Sequence, residues 1–172
     1  MLISETITEH LGTAFQRLAR VPECRKANAS SQPFLINVIY TEPEATGVAL
    51  RAAESLASSL GSTICLQALV CVPYQLSLAT PTISISHISR LLARVVERFG
   101  SNACTHILQI HVCRSRIETL LENLQPSSLV VIGGSRRLWP TSESRMLKAV
   151  GAEGHSVAFV DKKTGRPYAR WS

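Results

Sequence analysis

Aromatic side chains are scarce in this 172-residue sequence: two Trp, three Tyr and four Phe. Proteins that hold single-stranded nucleic acid stack bases on such rings. The basic residues that would accompany them are spread from Arg17 to Arg170 instead of forming a stripe. The net charge of +6 therefore reads as a solvated basic surface, and nucleic acid is set aside as a partner. Charged residues are also few, at 17%, which leaves weakly polar surface and an expectation of a buried interface. No apolar run approaches the roughly twenty residues that span a bilayer. The first residues, with Glu5 and Glu9, lack the charged-then-apolar pattern of a secretory signal. The five cysteines show no compact spacing, and Cys65, Cys71 and Cys113 fall in strand-like runs, as reduced thiols do. The expected location is cytoplasmic. There is no G-x4-G-K-[ST] loop, which excludes P-loop hydrolysis.

What is present is an alternation of short apolar runs and amphipathic segments. Residues 1–22 read as an N-terminal amphipathic helix, with Ile3, Ile7, Leu11, Phe15 and Leu18 at helical spacing and Pro22 as its end. Residues 23–32 are polar and read as a linker. Strands are expected at residues 34–40, 63–72, 105–112, 129–132 and 157–160. Helices are expected at residues 46–60, 84–99, 115–124 and 140–150. The second carries the clearest stripe, Ile88, Leu91, Leu92, Val95, Val96 and Phe99. Residues 162–172 form a basic tail with Tyr168 and Trp171. Alternating strands and helices imply an α/β domain over residues 33–161, with a parallel sheet and right-handed crossovers.

In such a sheet, ligands sit beyond the carboxyl ends of the strands. Gly133-Gly134-Ser135-Arg136-Arg137, which follows the fourth strand run, is the expected mouth of the site. Arg114, Arg145 and Lys148 are candidates to gather there and hold an anion by side chains.

From residue 33 to 161 the chain resembles the universal stress protein family. The likeness rests on element order and on three local features. These are Phe34 to Pro43 at the first strand, Ile132-Gly133-Gly134-Ser135-Arg136 after the fourth, and His155 to Val160 as the closing strand. The resemblance implies a Rossmann-like, five-stranded parallel sheet in order 3-2-1-4-5, sandwiched by helices and usually dimeric. Nucleotide-binding members carry G-x2-G-x9-G-[ST] after the fourth strand. Counted from Gly134, Arg137 stands at the second glycine, and Leu147-Lys148 stand at the closing pair. If the segment is shortened, Glu143-Ser144 take that place. No acid lies near Ile39, and Cys113-Arg114 replace the glycine after the third strand. Bare glycines let backbone N–H groups approach phosphates, so conventional ATP binding is not expected and no cofactor is assigned. The alternative is a nucleotide such as ATP, or another small anion, at Gly133, Gly134, Ser135, Arg136, Arg137 and Ser144.

No catalytic set emerges. Arg137 breaks the G-x-S-x-G elbow, and His155 and Asp161 lie at opposite ends of the last strand. Cys104 and His106 share one strand parity and His111 and Cys113 the other, so no metal site is assigned. The sequence points to a non-catalytic domain acting through protein contacts, as a homodimer or as an accessory subunit. The contact residues expected are Ile7, Leu11, Phe15, Val157, Phe159, Tyr168 and Trp171. Docking of the tail on an acidic partner or a membrane headgroup surface is its alternative use.

Overall fold

An apolar run such as residues 34–40 needs cover on both faces, and the architecture supplies it. A computed structural model describes residues 4–9, 34–79, 81, 83–126, 128–135 and 141–170. Among these residues the elements run β1 (Ser4–Glu9), β2 (Leu35–Ile39), α1 (Pro43–Leu60), β3 (Thr63–Cys71), α2 (Ile85–Phe99), β4 (His106–Cys113), α3 (Arg116–Asn123), β5 (Leu129–Gly134), α4 (Ser142–Ala152), β6 (Ser156–Asp161) and β7 (Pro167–Arg170). They build one sheet in the order β1-β4-β3-β2-β5-β6-β7. All pairs are parallel except β6 with β7.

The central five strands, β4-β3-β2-β5-β6, reproduce the expected 3-2-1-4-5 order. From β2 the chain steps outward to β4 through α1 and α2, then returns to β5 and β6 through α3 and α4. Right-handed crossovers in opposite directions place the two helix pairs on opposite faces. Strand alternation feeds both. Ile36, Val38, Leu66, Ile110 and Val131 pack with α1 and α2, while Ile39, Leu69, Val130 and Ile132 pack with Leu120 of α3 and Met146 and Val150 of α4.

Helix α1 opens with Pro43 in its first turn, where a missing N–H costs no hydrogen bond. It ends at Gly61, whose φ of 61° suits a left-handed cap. Its sheet-facing stripe is small: Ala45, Ala49, Ala53 and Ala57 are all buried. The stripe brings the helix unusually close to the sheet, with a consequence for β5 given below.

Three expectations are corrected at the flanks. Residues 4–9 form a strand, not the start of a helix. Thr6, Ile7 and Thr8 are β-branched, and pairing from Ser4↔Ile107 to Glu9↔Val112 covers the outer edge of β4. Leu11, Phe15 and the proposed linker lie outside the described residues. The tail is not free either. A turn through Gly165, at φ 66°, folds β7 back onto β6, pairing Val157↔Arg170 through Val160↔Pro167. The β6 edge expected to meet a second copy is therefore filled by the chain's own tail. Finally, Gly133 and Gly134 belong to β5 and pair with Val160 and Asp161, so the strand runs two residues further than its apolar run.

Candidate functional site

The connections diverge between β2 and β5, and a crevice opens at their carboxyl ends. Tyr40 and Thr41 leave β2 on one side, and Ser135 leaves β5 on the other. Arg116 from the start of α3 and Ser142 and Glu143 from the start of α4 close the far wall. The cleft lined by Tyr40, Thr41, Arg116, Ser142 and Glu143, and floored by Ile39, Ile132 and Met146, measures about 50 Å³. That is room for a few water molecules, against the roughly 300–1,000 Å³ of an ordinary ligand pocket.

The polar groups around it are engaged with one another. Thr41 Oγ1 donates to the Gly133 carbonyl at 2.9 Å, and Thr41 N–H donates to Thr46 Oγ1 at 3.1 Å. Lys162 N–H donates to the Gly134 carbonyl at 2.9 Å, and its Nζ meets Glu42 Oε1 at 2.5 Å. Thr141 caps α4 by accepting from the Ser144 N–H at 3.2 Å. Ser144 Oγ turns back to donate to the Thr141 carbonyl at 3.0 Å.

Glu143 is the group that decides the electrostatics. Burial alone would raise its pKa, yet it lies below the ordinary value. Its own backbone N–H, the Thr141 and Ser142 hydroxyls and the nearby Arg116 guanidinium together outweigh the desolvation. A carboxylate of the chain thus occupies the N-terminal turn of α4, the position where a phosphate gains most from helix amides and dipole. Tyr40 moves the other way: burial, aided by Glu42, raises its phenol, which stays protonated.

The expected cationic gathering takes a different form. Arg114 grips the loop after β3. Its guanidinium donates to the Val72 carbonyl at 3.0 Å, the Leu76 carbonyl at 2.7 Å and the Pro73 carbonyl, and it lies 5.4 Å from the Tyr74 ring centre. Arg145 and Lys148 are exposed along α4. Arg136 and Arg137 lie outside the described residues.

Gly133 and Gly134 lie at the end of β5, packed against neighbouring elements. A Cβ on Gly133 would stand 1.9 Å from the Ala45 carbonyl oxygen, so the small stripe of α1 demands this glycine. A Cβ on Gly134 would meet only the Phe159 ring edge, at 3.0 Å. Of the expected contact residues, Val157 is buried and Phe159 is half-buried against Gly134, both inside the fold. Tyr168 is exposed, Ile7 pairs in register with Ile110, and Trp171 lies outside the described residues. Ser135 and Asp161 stand at the carboxyl edge, whereas His155 sits at the other end of β6, 3.1 Å from Ser128 Oγ.

Sequence reasoning missed a buried hydrogen-bonded pair far from this cleft. Glu54 Oε1 of α1 meets His106 Nε2 of β4 at 2.8 Å and accepts the Ser101 N–H at 2.6 Å. It gives His106 a structural partner. Among the described residues, no three His, Cys, Asp or Glu side chains cluster as a metal site would require. Among the described residues, no helix is long and apolar enough to cross a membrane.

Fold and crevice define a class: a mostly parallel, doubly wound α/β domain of Rossmann-like type. Compared with models of known protein families and with curated protein sequences, the chain gives no match.

Proposed function

We propose that this chain is a non-catalytic, universal-stress-protein-like domain that works through protein contacts, as a homodimer or an accessory subunit, and holds no nucleotide. The observation that carries this reading is Glu143. Its carboxylate already takes its own backbone N–H, the Thr141 and Ser142 hydroxyls and the Arg116 charge, so an incoming phosphate meets a negative charge and a cleft of about 50 Å³. The contact role draws support from the loop after β3, where Tyr74 is 82% exposed beside exposed Leu76 and Ile83.

Thermal melting tests the nucleotide half. ATP with magnesium at one hundred times its Kd would add about 2.7 kcal/mol, a rise of roughly 5–10 °C for a domain of this size. The reading expects no rise at millimolar ATP, and a rise of several degrees overturns it. A second reading, a sensor of a small anion, draws on Arg116, Ser142 and Tyr40 lining one cleft. Inorganic phosphate raising the melting temperature would favour it.

A further inference from the structure

Cys71 closes β3 and Cys113 closes β4, and the two are direct register partners on adjacent strands. In a parallel pair, residues in register point to the same face. Neighbouring strands lie about 4.8 Å apart, within the roughly 4.4–6.8 Å between Cα atoms that a disulfide bridges. The Cys71 thiol lies beside that of Cys113. Both are free thiols, and they differ sharply in access: Cys71 is exposed and Cys113 is buried.

We propose that Cys71 and Cys113 form a redox-active dithiol that a hydroperoxide converts to an intrachain disulfide. This goes beyond the contact role proposed above and does not depend on it.

The asymmetry in access sets the order of events. The exposed Cys71 thiolate attacks the peroxide and the O–O bond breaks. Cys71 becomes a sulfenic acid, and the departing oxygen leaves, once protonated, as water or an alcohol. The Cys113 sulfur, giving up its proton, then attacks the Cys71 sulfur. The S–O bond breaks, water leaves and the S–S bond forms. Two thiols lose two electrons and two protons, and one peroxide is reduced. Burial pushes the Cys113 thiol up to about 11, with the Cys71 thiol adding to the rise, while Thr119 and Arg116 oppose it. Cys113 is thus protected from direct oxidation, and its attack on the Cys71 sulfenic acid waits on loss of its proton.

The surroundings give the bond something to act on. Cys71 Sγ donates to the Arg114 carbonyl at 3.2 Å, and Val72 N–H donates to the Cys113 carbonyl at 2.9 Å. The Arg114 side chain holds the loop that carries exposed Tyr74. Bridging the strand ends ties β3 to β4 where this loop begins.

The test is a thiol count and linkage map of the full reduced chain after hydrogen peroxide. The expected result is loss of two of the five alkylatable thiols, with the mass lower by two hydrogens. Fragment spectra of the unreduced digest should join Cys71 to Cys113. Cys71→Ser should keep every thiol unbridged, and Cys113→Ser should accumulate a sulfenic acid at Cys71 that dimedone traps. Retention of all five thiols in the native chain, a bridge through Cys65 or Cys104, or a bridge only between chains would overturn the proposal. The map of the unsubstituted chain decides the question even if a serine variant folds poorly.

Discussion

Replacing Gly133 by alanine probes the claim that the paired glycines serve packing. The new Cβ would stand 1.9 Å from the Ala45 oxygen and 2.5 Å from its carbonyl carbon, where ordinary contact begins at 3.4 Å. Relief needs a separation of about 1.5 Å between α1 and β5, and neither moves freely. Ladder bonds to β6 and the Thr41 hydroxyl hold β5 at this point. Ala45, Ala49 and Ala53 hold α1 against the sheet with none of their surface exposed. The obstructing atoms are backbone, so no rotamer change helps. Overpacking costs about 1–3 kcal/mol in cores that can adjust, and here the upper end, roughly 3 kcal/mol, is expected. For a chain of this length that lowers the melting temperature by about 6–12 °C. Gly134→Ala meets only the edge of the half-buried Phe159 ring, at 3.0 Å, and should cost less than about 1 kcal/mol. Urea denaturation of both variants without ligand reads the difference directly. Equal stabilities, or a Gly133→Ala variant as stable as the parent, would refute the packing account.

Two further substitutions follow from the same geometry. Glu143→Gln removes a carboxylate from the N-terminal turn of α4 and should cost about 0.3–1 kcal/mol at pH 7. Its folded pKa lies below the ordinary 4.5, so its stabilisation is fully present above that value and is lost as pH falls through the depressed one. Urea curves of parent and variant should differ at pH 7 and converge as pH falls below the ordinary carboxylate range; a gap independent of pH would contradict this. Glu54→Ala removes the side-chain oxygen that meets His106 Nε2 and accepts from the Ser101 N–H and should destabilise the chain by about 1–3 kcal/mol for each buried group left unsatisfied. Glu54→Gln, which keeps an acceptor oxygen, should cost clearly less, and denaturation midpoints distinguish the two.

The sheet was legible because its central strands must be apolar on both faces. Ile36, Val38 and Ile39 show this, and such runs leave little ambiguity. The flanks were not. Around residues 4–9, Ile3, Ile7 and Leu11 offered helical spacing while Thr6, Ile7 and Thr8 offered a strand. A long-range partner, β4, decided between them. Local pattern does not contain that partner. The β6–β7 hairpin carried a weak cue, Gly165 between two short β-prone runs. At the site, the paired glycines were read as the mouth of a ligand site, because bare glycines let backbone N–H groups approach phosphates. The need at Gly133 instead comes from Ala45, on a different element and far away in sequence. Glu143 was legible as the residue standing where the resemblance expects glycine. Arg114 was placed at the correct edge but with a different partner: backbone carbonyls on either side of Pro73 compete with any anion for its guanidinium. The Glu54–His106 pair joins a helix face to a strand start and left no sequence signal.

The most direct test of the central claim is the mass of the intact species, isolated from its source and measured under native conditions. A contact-acting domain without a nucleotide should appear in an assembly heavier than the 18.8 kDa of the single chain, with no nucleotide released on denaturation. A lone chain of 18.8 kDa, or one carrying a stoichiometric nucleotide, would contradict the account.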